Sequence, residues 1–296
     1  MRCGLVALVG RPNAGKSTLL NRLVGTKVAI VSDKPQTTRN RIVGVRNAPG
    51  AQLVFVDTPG IHRPLHRMNV RMVDLAVQSM TQADVVCVVA DATGAIGGGD
   101  TYLADLVSRV PAPVVLALNK VDLVEKPALL PLIDRWSGMA RFADLVPMSA
   151  LTGEQVDRLE QVLIGHLPEG EPFYPDDYVT DQPEHVFLAE IVREKVLAHT
   201  RDELPFSSAV LVDHIDEADE RGLVRVYCTI FVERDSQKPI VIGRGGSMIR
   251  LIGTEARQEM ERVLAARVFL DLRVKTKAGW REDSRLLDQL GVVEED

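Results

Sequence analysis

The segment Gly10-Arg11-Pro12-Asn13-Ala14-Gly15-Lys16-Ser17 constrains the fold of this chain more than any other stretch. It fits the pattern G-x-x-x-x-G-K-[ST], and its flanks agree with it. The apolar run Leu5–Val9 precedes it, and Thr18–Leu23 follows with helical spacing until Gly25. A strand, a glycine loop and a helix N-terminus in that order make an anion site, because backbone N–H groups and the helix dipole converge on negative charge. Glycines at 10 and 15 allow backbone geometry that a Cβ would obstruct. In such a loop Lys16 reaches the outer phosphates and the Ser17 hydroxyl ligates magnesium.

At 296 residues the chain is long enough for two domains. Cys3, Cys87 and Cys228 lie far apart with no paired spacing, which argues against structural zinc and for a reducing compartment. No apolar run approaches a membrane span and no signal-peptide pattern opens the chain, so a cytoplasmic protein is expected. The net charge of −6 excludes a globally basic nucleic-acid binder. Charge is nevertheless uneven: Lys238 to Arg281 holds ten Lys/Arg against four Asp/Glu. That stretch reads either as a solvated helix surface or as a local nucleic-acid face.

Up to about residue 167, β-branched runs alternate with helical patterns. Leu5–Val9, Gln52–Val56, Val85–Ala90, Val114–Leu118 and Leu145–Pro147 are mostly apolar throughout. Strands buried on both faces have that composition, so an α/β domain with a mostly parallel sheet is expected over residues 1–170. Residues 171–183, rich in proline and acid, form a linker. Residues 184–296 read as a smaller α+β domain. A helix is expected over Glu184–His199, strands over Ser208–Ile215 and Val224–Glu233, a helix from Gly243, a strand over Val268–Lys275 and a short helix over Glu282–Leu290.

Four further segments agree with the phosphate loop. Asp57-Thr58-Pro59-Gly60 ends an apolar run, where a carboxylate can hold magnesium and the Gly60 N–H can sense a γ-phosphate. Asn119-Lys120-Val121-Asp122 follows another strand. A buried Asp122 would accept from guanine N1–H and the 2-amino group, donors that adenine lacks. Asn119 is expected at the base and its neighbouring loops, with the Lys120 stem along the ring. Ser149-Ala150 lies after a third strand, with the Ala150 N–H available to guanine O6. Thr38, favoured over Thr37, completes a magnesium set with Ser17 and Asp57. The nucleotide-binding set is thus Gly10, Arg11, Pro12, Asn13, Ala14, Gly15, Lys16, Ser17, Thr18, Asp57, Thr58, Pro59, Gly60, Asn119, Lys120, Asp122, Ser149 and Ala150. Lys16, Thr38 and Gly60 serve catalysis by in-line water attack on GTP. Ile61 stands where many GTPases carry a water-orienting glutamine, so slow basal hydrolysis aided by a partner or a monovalent cation is expected. Asn13 is either a potassium ligand or a loop-stabilising residue. His62 and His66 are interrupted by Pro64 and read as surface residues.

In the second half, Val241–Ile249 carries an apolar segment into a G-x-x-G turn that opens a helix bearing Met248, Ile249 and Ile252. This is the arrangement of KH domains, whose loop clamps about four unpaired nucleotides. Ile242, Gly243, Arg244, Gly245, Gly246, Ile249, Arg250, Lys275 and Lys277 are the expected RNA contacts. The combination resembles the bacterial Era family over nearly the whole chain. The residues that carry the likeness are Gly10–Ser17, Gln36–Arg39, Asp57–Gly60, Asn119–Asp122, Ser149–Ala150, Ile242–Gly246 with Ile249, Ile252–Gly253 and Val274–Trp280. The resemblance implies a P-loop GTPase domain followed by a type II KH domain, using GTP/GDP and Mg2+, with K+ through Asn13. It further implies a monomer that binds the 3′ end of 16S rRNA, assists 30S subunit assembly and associates peripherally with the inner face of the cell membrane. The competing readings are a related ribosome-assembly or tRNA-modification GTPase, an RNA chaperone with a structural nucleotide site, and a P-loop kinase.

Overall fold

The computed structural model describes residues 1–34, 37–61, 67–201, 204–220 and 222–292. Its first unit begins with β1 (Arg2–Val9), α1 (Lys16–Val24), β2 (Ile42–Ala48), β3 (Ala51–Asp57) and α2 (Arg67–Gln82). It continues with β4 (Val85–Asp91), α3 (Gly98–Val107), β5 (Val114–Asn119), α4 (Lys126–Ser137), β6 (Asp144–Pro147) and α5 (Val156–His166). The strands form one sheet in the order β2-β3-β1-β4-β5-β6, with only β2 antiparallel. Alternation along β1 explains the double layer: Val6 and Leu8 pack with Leu19 and Leu20 of α1, while Ala7 and Val9 enter a second cluster with Leu103 of α3 and Trp136 of α4. Because β1 lies between β3 and β4, the strand order reverses there. The crevice at the carboxyl end of β1 is therefore the natural ligand position.

β2 was not among the expected strands. Gly44, Arg46 and Asn47 interrupt its apolar pattern, and it pairs only with β3 on the sheet side. Its other edge is met by the proline-rich segment, since Val45 N–H donates to the Val179 carbonyl (2.8 Å) and Thr180 Oγ1 to the Val43 carbonyl (2.6 Å). Gln52 of β3, fully buried, accepts from Phe173 and Tyr174 N–H and donates to the Tyr174 carbonyl. The two compact units divide between Asp181 and Gln182.

The second unit has α6 (Glu184–His199), the single turn α7 (Leu204–Ser207), β7 (Ser208–Asp216), β8 (Leu223–Val232), α8 (Lys238–Ile242), α9 (Ser247–Leu264), β9 (Arg267–Thr276) and α10 (Ser284–Gln289). β8 is the central strand, antiparallel to β7 and parallel to β9. Leu188, Ile191 and Val192 of α6, Ile252, Ala256 and Met260 of α9, and Val226, Cys228 and Ile230 of β8 share one core. α8 is a correction to the sequence reading, where Val241–Ile242 was only an apolar lead-in; Pro239 near its N-terminus suits a helix start. Buried Trp280 donates its indole N–H to the Ser207 carbonyl (2.9 Å) and ties the end of the chain to this unit.

Candidate nucleotide site and nucleic-acid loop

The phosphate loop joins β1 to α1 with Gly15 as a left-handed N-cap (φ +97°) and Lys16 as the first helical residue. A Cβ at Gly15 would stand 2.2 Å from Asn119 Nδ2, and one at Gly10 would stand 2.3 Å from the Val89 carbonyl. Both positions are therefore closed to other residues. Pro12, Asn13, Gly15, Lys16, Ser17 and Thr18 line a pocket with Thr38 and Gly60. A Cβ on Gly60 would lie 2.7 Å from Pro12 N, so the D-T-P-G turn touches the phosphate loop through its glycine. Thr58 Oγ1 anchors that turn on the Leu8 carbonyl (2.9 Å), and Pro59 is buried beside it.

Three oxygens meet at the carboxyl end of β3. Ser17 Oγ lies 2.8 Å from both Thr38 Oγ1 and Asp57 Oδ2, and Thr38 Oγ1 donates to Asp57 Oδ2 at 3.3 Å. Thr37 Oγ1 donates to the Lys34 carbonyl (2.6 Å), so Thr38 is the threonine that stands with Ser17 and Asp57. Asp57 Oδ1 is buried and has no hydrogen-bond partner among the described residues. Burial raises the Asp57 carboxyl above its ordinary range, opposed by Lys16, Ser17, Thr38 and the Thr58 N–H. Burial likewise pushes the Lys16 ammonium below the usual lysine range against the pull of Asp57, while Nζ rests on the Gly10 and Arg11 carbonyls (3.2 and 3.1 Å). Each buried charge is short of compensation. An orphaned carboxylate oxygen among hydroxyls suits a hard divalent cation such as magnesium, and a buried ammonium among loop N–H groups suits a phosphate.

The base-side loops are joined to this one. Asn119 Nδ2 donates to the Ala14 carbonyl (2.7 Å) and its Oδ1 accepts from the Ala150 N–H (2.8 Å). The expected contacts of Asn119 with its neighbouring loops are thus present, while the Ala150 N–H, expected at guanine O6, is engaged by Asn119. Ser149 is fully buried, and its Oγ accepts from Thr152 N–H. Arg22 of α1 braces the same loop by donating to the Ala150 and Leu151 carbonyls. Asp122 lies in a short 3-10 turn and is exposed, not buried. Its discrimination therefore requires the base itself to cover it. Lys120 is left-handed (φ +68°), with Nζ 2.5 Å from Asp91 Oδ2.

Arg11 departs from its expected place, whereas Asn13 makes a loop contact that was one of its two readings. Arg11 turns out of the site to Asp100 at the start of α3 (2.8 Å), leaving only its carbonyl toward Lys16. Asn13 is left-handed and donates to the Asp33 carbonyl (2.6 Å). Ile61 is 1% exposed and packs into the core, with its N–H on the Gly10 carbonyl (3.0 Å). Asp91, Asp100 and Arg22 were missed in the sequence, where single charged residues on strand ends and helices carry no pattern. Pro35, Gln36, His62 and His66 lie outside the described residues.

In the second unit, Gly243, Gly245 and Gly246 all have positive φ (+74°, +58° and +78°), and Gly246 caps α9. A Cβ on Gly243 would meet Met248 N at 2.6 Å, whereas Gly245 faces open space. Arg250 donates to the Gly245 carbonyl (2.7 Å) and so braces the loop, while Arg244 is exposed. Ile242 and Leu251 are exposed, Ile249 is half-buried, and Lys275 is exposed on β9. Lys277, expected among the RNA contacts, pairs with Asp283 (2.6 Å) and holds that carboxyl below its ordinary range.

Residues 5–120 match a family model described as 50S ribosome-binding GTPase, and residues 209–281 match a KH domain model. GTPase Era of Geobacter metallireducens is 48% identical over 290 residues, covering 98% of this chain and 97% of that one. The chain belongs to the Era family of GTPases. GTPase Era of Heliobacterium modesticaldum is 46% identical, covering 99% of this chain and 98% of the relative. Among solved structures, Aquifex aeolicus Era bound to GDP and aluminium fluoride superposes with a TM-score of 0.95 at 40% identity, covering 99% of this chain and all of the other. Era in complex with MgGDPNP and nucleotides 1506–1542 of 16S ribosomal RNA gives 0.96 at 40% identity over the same shares.

Proposed function

We propose that this protein is a GTP-hydrolysing switch that binds the 3′ end of 16S ribosomal RNA through its KH loop and assists assembly of the 30S subunit. The observation that carries the nucleotide half is the orphaned Asp57 Oδ1 beside Ser17 and Thr38, with Lys16 buried behind them. Ser17, Thr38 and Asp57 would hold magnesium, which neutralises phosphate charge when bound. Lys16 and the loop N–H groups stabilise charge developing on the γ-phosphate, and Gly60 sits against the phosphate loop where its N–H can follow that group. Thr58 and Pro59 fix the turn that carries it. Asp122 reads guanine, and the Lys120 stem lies along the ring. Gly10, Ala14, Thr18, Asn119, Ser149 and Ala150 build the frame.

Ile61 cannot orient water from the core, so unaided hydrolysis is slow. Asn13 is offered as a potassium ligand through Oδ1, its amide nitrogen being committed to Asp33. Potassium stimulation that survives Asn13→Ala would exclude that role.

The RNA half rests on the three positive-φ glycines with Ile242, Arg244 and Ile249 on the same segment, and on Lys275 exposed on β9. Such a loop admits a sugar–phosphate backbone closely and leaves aliphatic faces for unpaired bases. The first-domain model speaks of the 50S subunit but stops at residue 120, before the KH match begins; the full-length solved Era complex with 16S ribosomal RNA favours the small-subunit assignment. GTP is expected to order the Thr38 and Asp57 loops and so to change RNA affinity, with RNA changing GTP affinity by the same factor. We place the protein in the cytoplasm as a monomer. Peripheral contact with the membrane rests on the family resemblance alone, and among the described residues no helix is long and apolar enough to cross a bilayer. The deciding experiment is calorimetry with GTP and ATP, followed by sequencing of RNA recovered with GTP-analogue-bound protein. ATP bound as tightly as GTP, or recovered RNA lacking 16S 3′ sequences, would overturn the proposal.

A further inference from the structure

We propose that Asp91 is a positioning residue for guanine-nucleotide recognition, acting through Lys120. The inference rests on the guanine reading above and deepens it. Asp91 ends β4 at the register position opposite Asn119, and the next N–H, of Ala92, donates to the Asn119 carbonyl (2.9 Å). Its two oxygens are divided. Oδ2 receives Lys120 Nζ at 2.5 Å, while Oδ1 receives the N–H and hydroxyl of Thr93 at 2.8 and 2.6 Å. Thr93 thus fixes the carboxylate, and the carboxylate fixes the ammonium.

Lys120 is thereby held at both ends. Its backbone occupies the left-handed region, sparsely populated by side chains with a Cβ, and its far end is tied to a neighbouring strand. A lysine stem left untied samples many rotamers, and ordering it on binding lowers affinity. Tied at Nζ, the Lys120 side chain has less rotamer freedom to lose where it caps the turn that carries Asp122. Asp91 lines a cavity with Arg11 and Asp100 and is not among the residues that line the Lys16–Thr38 pocket. Both side chains of the pair are 30% exposed, a setting in which an ion pair adds little stability of its own. Its value is orientation.

Base contacts are the same in the ground and transition states, so loosening them raises KM and leaves kcat unchanged. The test measures GDP and ADP dissociation constants, steady-state GTP hydrolysis and the melting temperature of nucleotide-free protein. The variants are Asp91→Ala, Asp91→Asn, Lys120→Met and each double substitution. Asp91→Asn still accepts from Thr93 and keeps the turn while removing the charge. We expect both Asp91 variants to weaken GDP and raise KM for GTP about tenfold, with kcat within about twofold and melting unchanged. In the Lys120→Met background neither should weaken GDP further, as a residue acting through another must behave. Unchanged GDP affinity in Asp91→Ala, equal losses in both backgrounds, or a fall in nucleotide-free melting for both Asp91 variants would overturn the role. A wild-type protein that fails to prefer GDP over ADP would remove the guanine reading and this inference together. A guanine-selective wild type with an unaffected Asp91→Ala would remove this inference alone.

Discussion

Gly60 and Ile61 are adjacent but do opposite things. Gly60 meets Pro12 so closely that a methyl group cannot fit between them, while Ile61 points into the core. We expect Gly60→Ala to retain GDP binding and to lose at least tenfold in single-turnover GTP hydrolysis, because the added Cβ displaces the turn from the phosphate loop. Ile61→Gln tests the missing glutamine. The amide would be buried where its predecessor is 1% exposed, so the variant should lose about 1–3 kcal/mol in denaturant unfolding without faster hydrolysis. A rate gain without that loss would show that the side chain can reach the nucleotide. The Lys16 and Asp57 motifs were legible in the sequence because each needs its residue types at fixed spacing. The loop contacts of Asn119 were legible but not their partners, since Ala14 and Ala150 are 105 and 31 residues away and contribute backbone atoms.

At the level of strands and helices, the carboxylate of Asp100 couples the start of α3 to the phosphate loop. It accepts from the Gly97 N–H (2.9 Å) and from Arg11. Replacing it with alanine should cost about 1–2 kcal/mol in equilibrium unfolding, the range for a lost cap with a partly exposed ion pair. Gln52 does comparable work between β3 and the segment at 173–174. Gln52→Leu should speed proteolytic cleavage within residues 171–181 several-fold, since it leaves the Phe173 and Tyr174 backbone groups without their buried partner. Unchanged cleavage would mean that the bonds from β2 suffice. These elements also mark where sequence reading stops. The apolar parallel strands declare themselves by composition, whereas β2 hides behind Gly44, whose Cβ would press on Leu20 and Val24 at 2.8 Å. In α8, Ile240-Val241-Ile242 has the β-branched content of a strand, and only packing makes it helical.

Across the whole molecule, the two units can be perturbed separately. Gly245 has space around it and a φ of +58°, a left-handed conformation that Asp tolerates better than most side chains, so Gly245→Asp should fold with modest strain, place a negative charge in the KH loop and weaken 16S RNA binding at least tenfold while GTP hydrolysis without RNA stays unchanged. Cys87 lies in the first core and Cys228 in the second, each with its thiol pushed up to about 12 by burial. Native protein at pH 8 should therefore resist alkylation at both, and labelling under rising denaturant should report each unit's opening. The sign of the pH effect follows. The unfolded chain ionises these thiols from near 9.0 while the folded chain does not, so stability should fall as pH rises from about 9 towards 12. Asn119 spends its oxygen and its nitrogen on two different loops, whereas Asp122 stands exposed in a turn of its own, so purine choice should be editable at Asp122 without loosening the triphosphate grip. On the proposed guanine reading, a change there would re-address the switch to another nucleobase and make a chemically orthogonal copy for use beside the natural one. A change at Asn119 dissolves the receptor for both halves of the ligand at once.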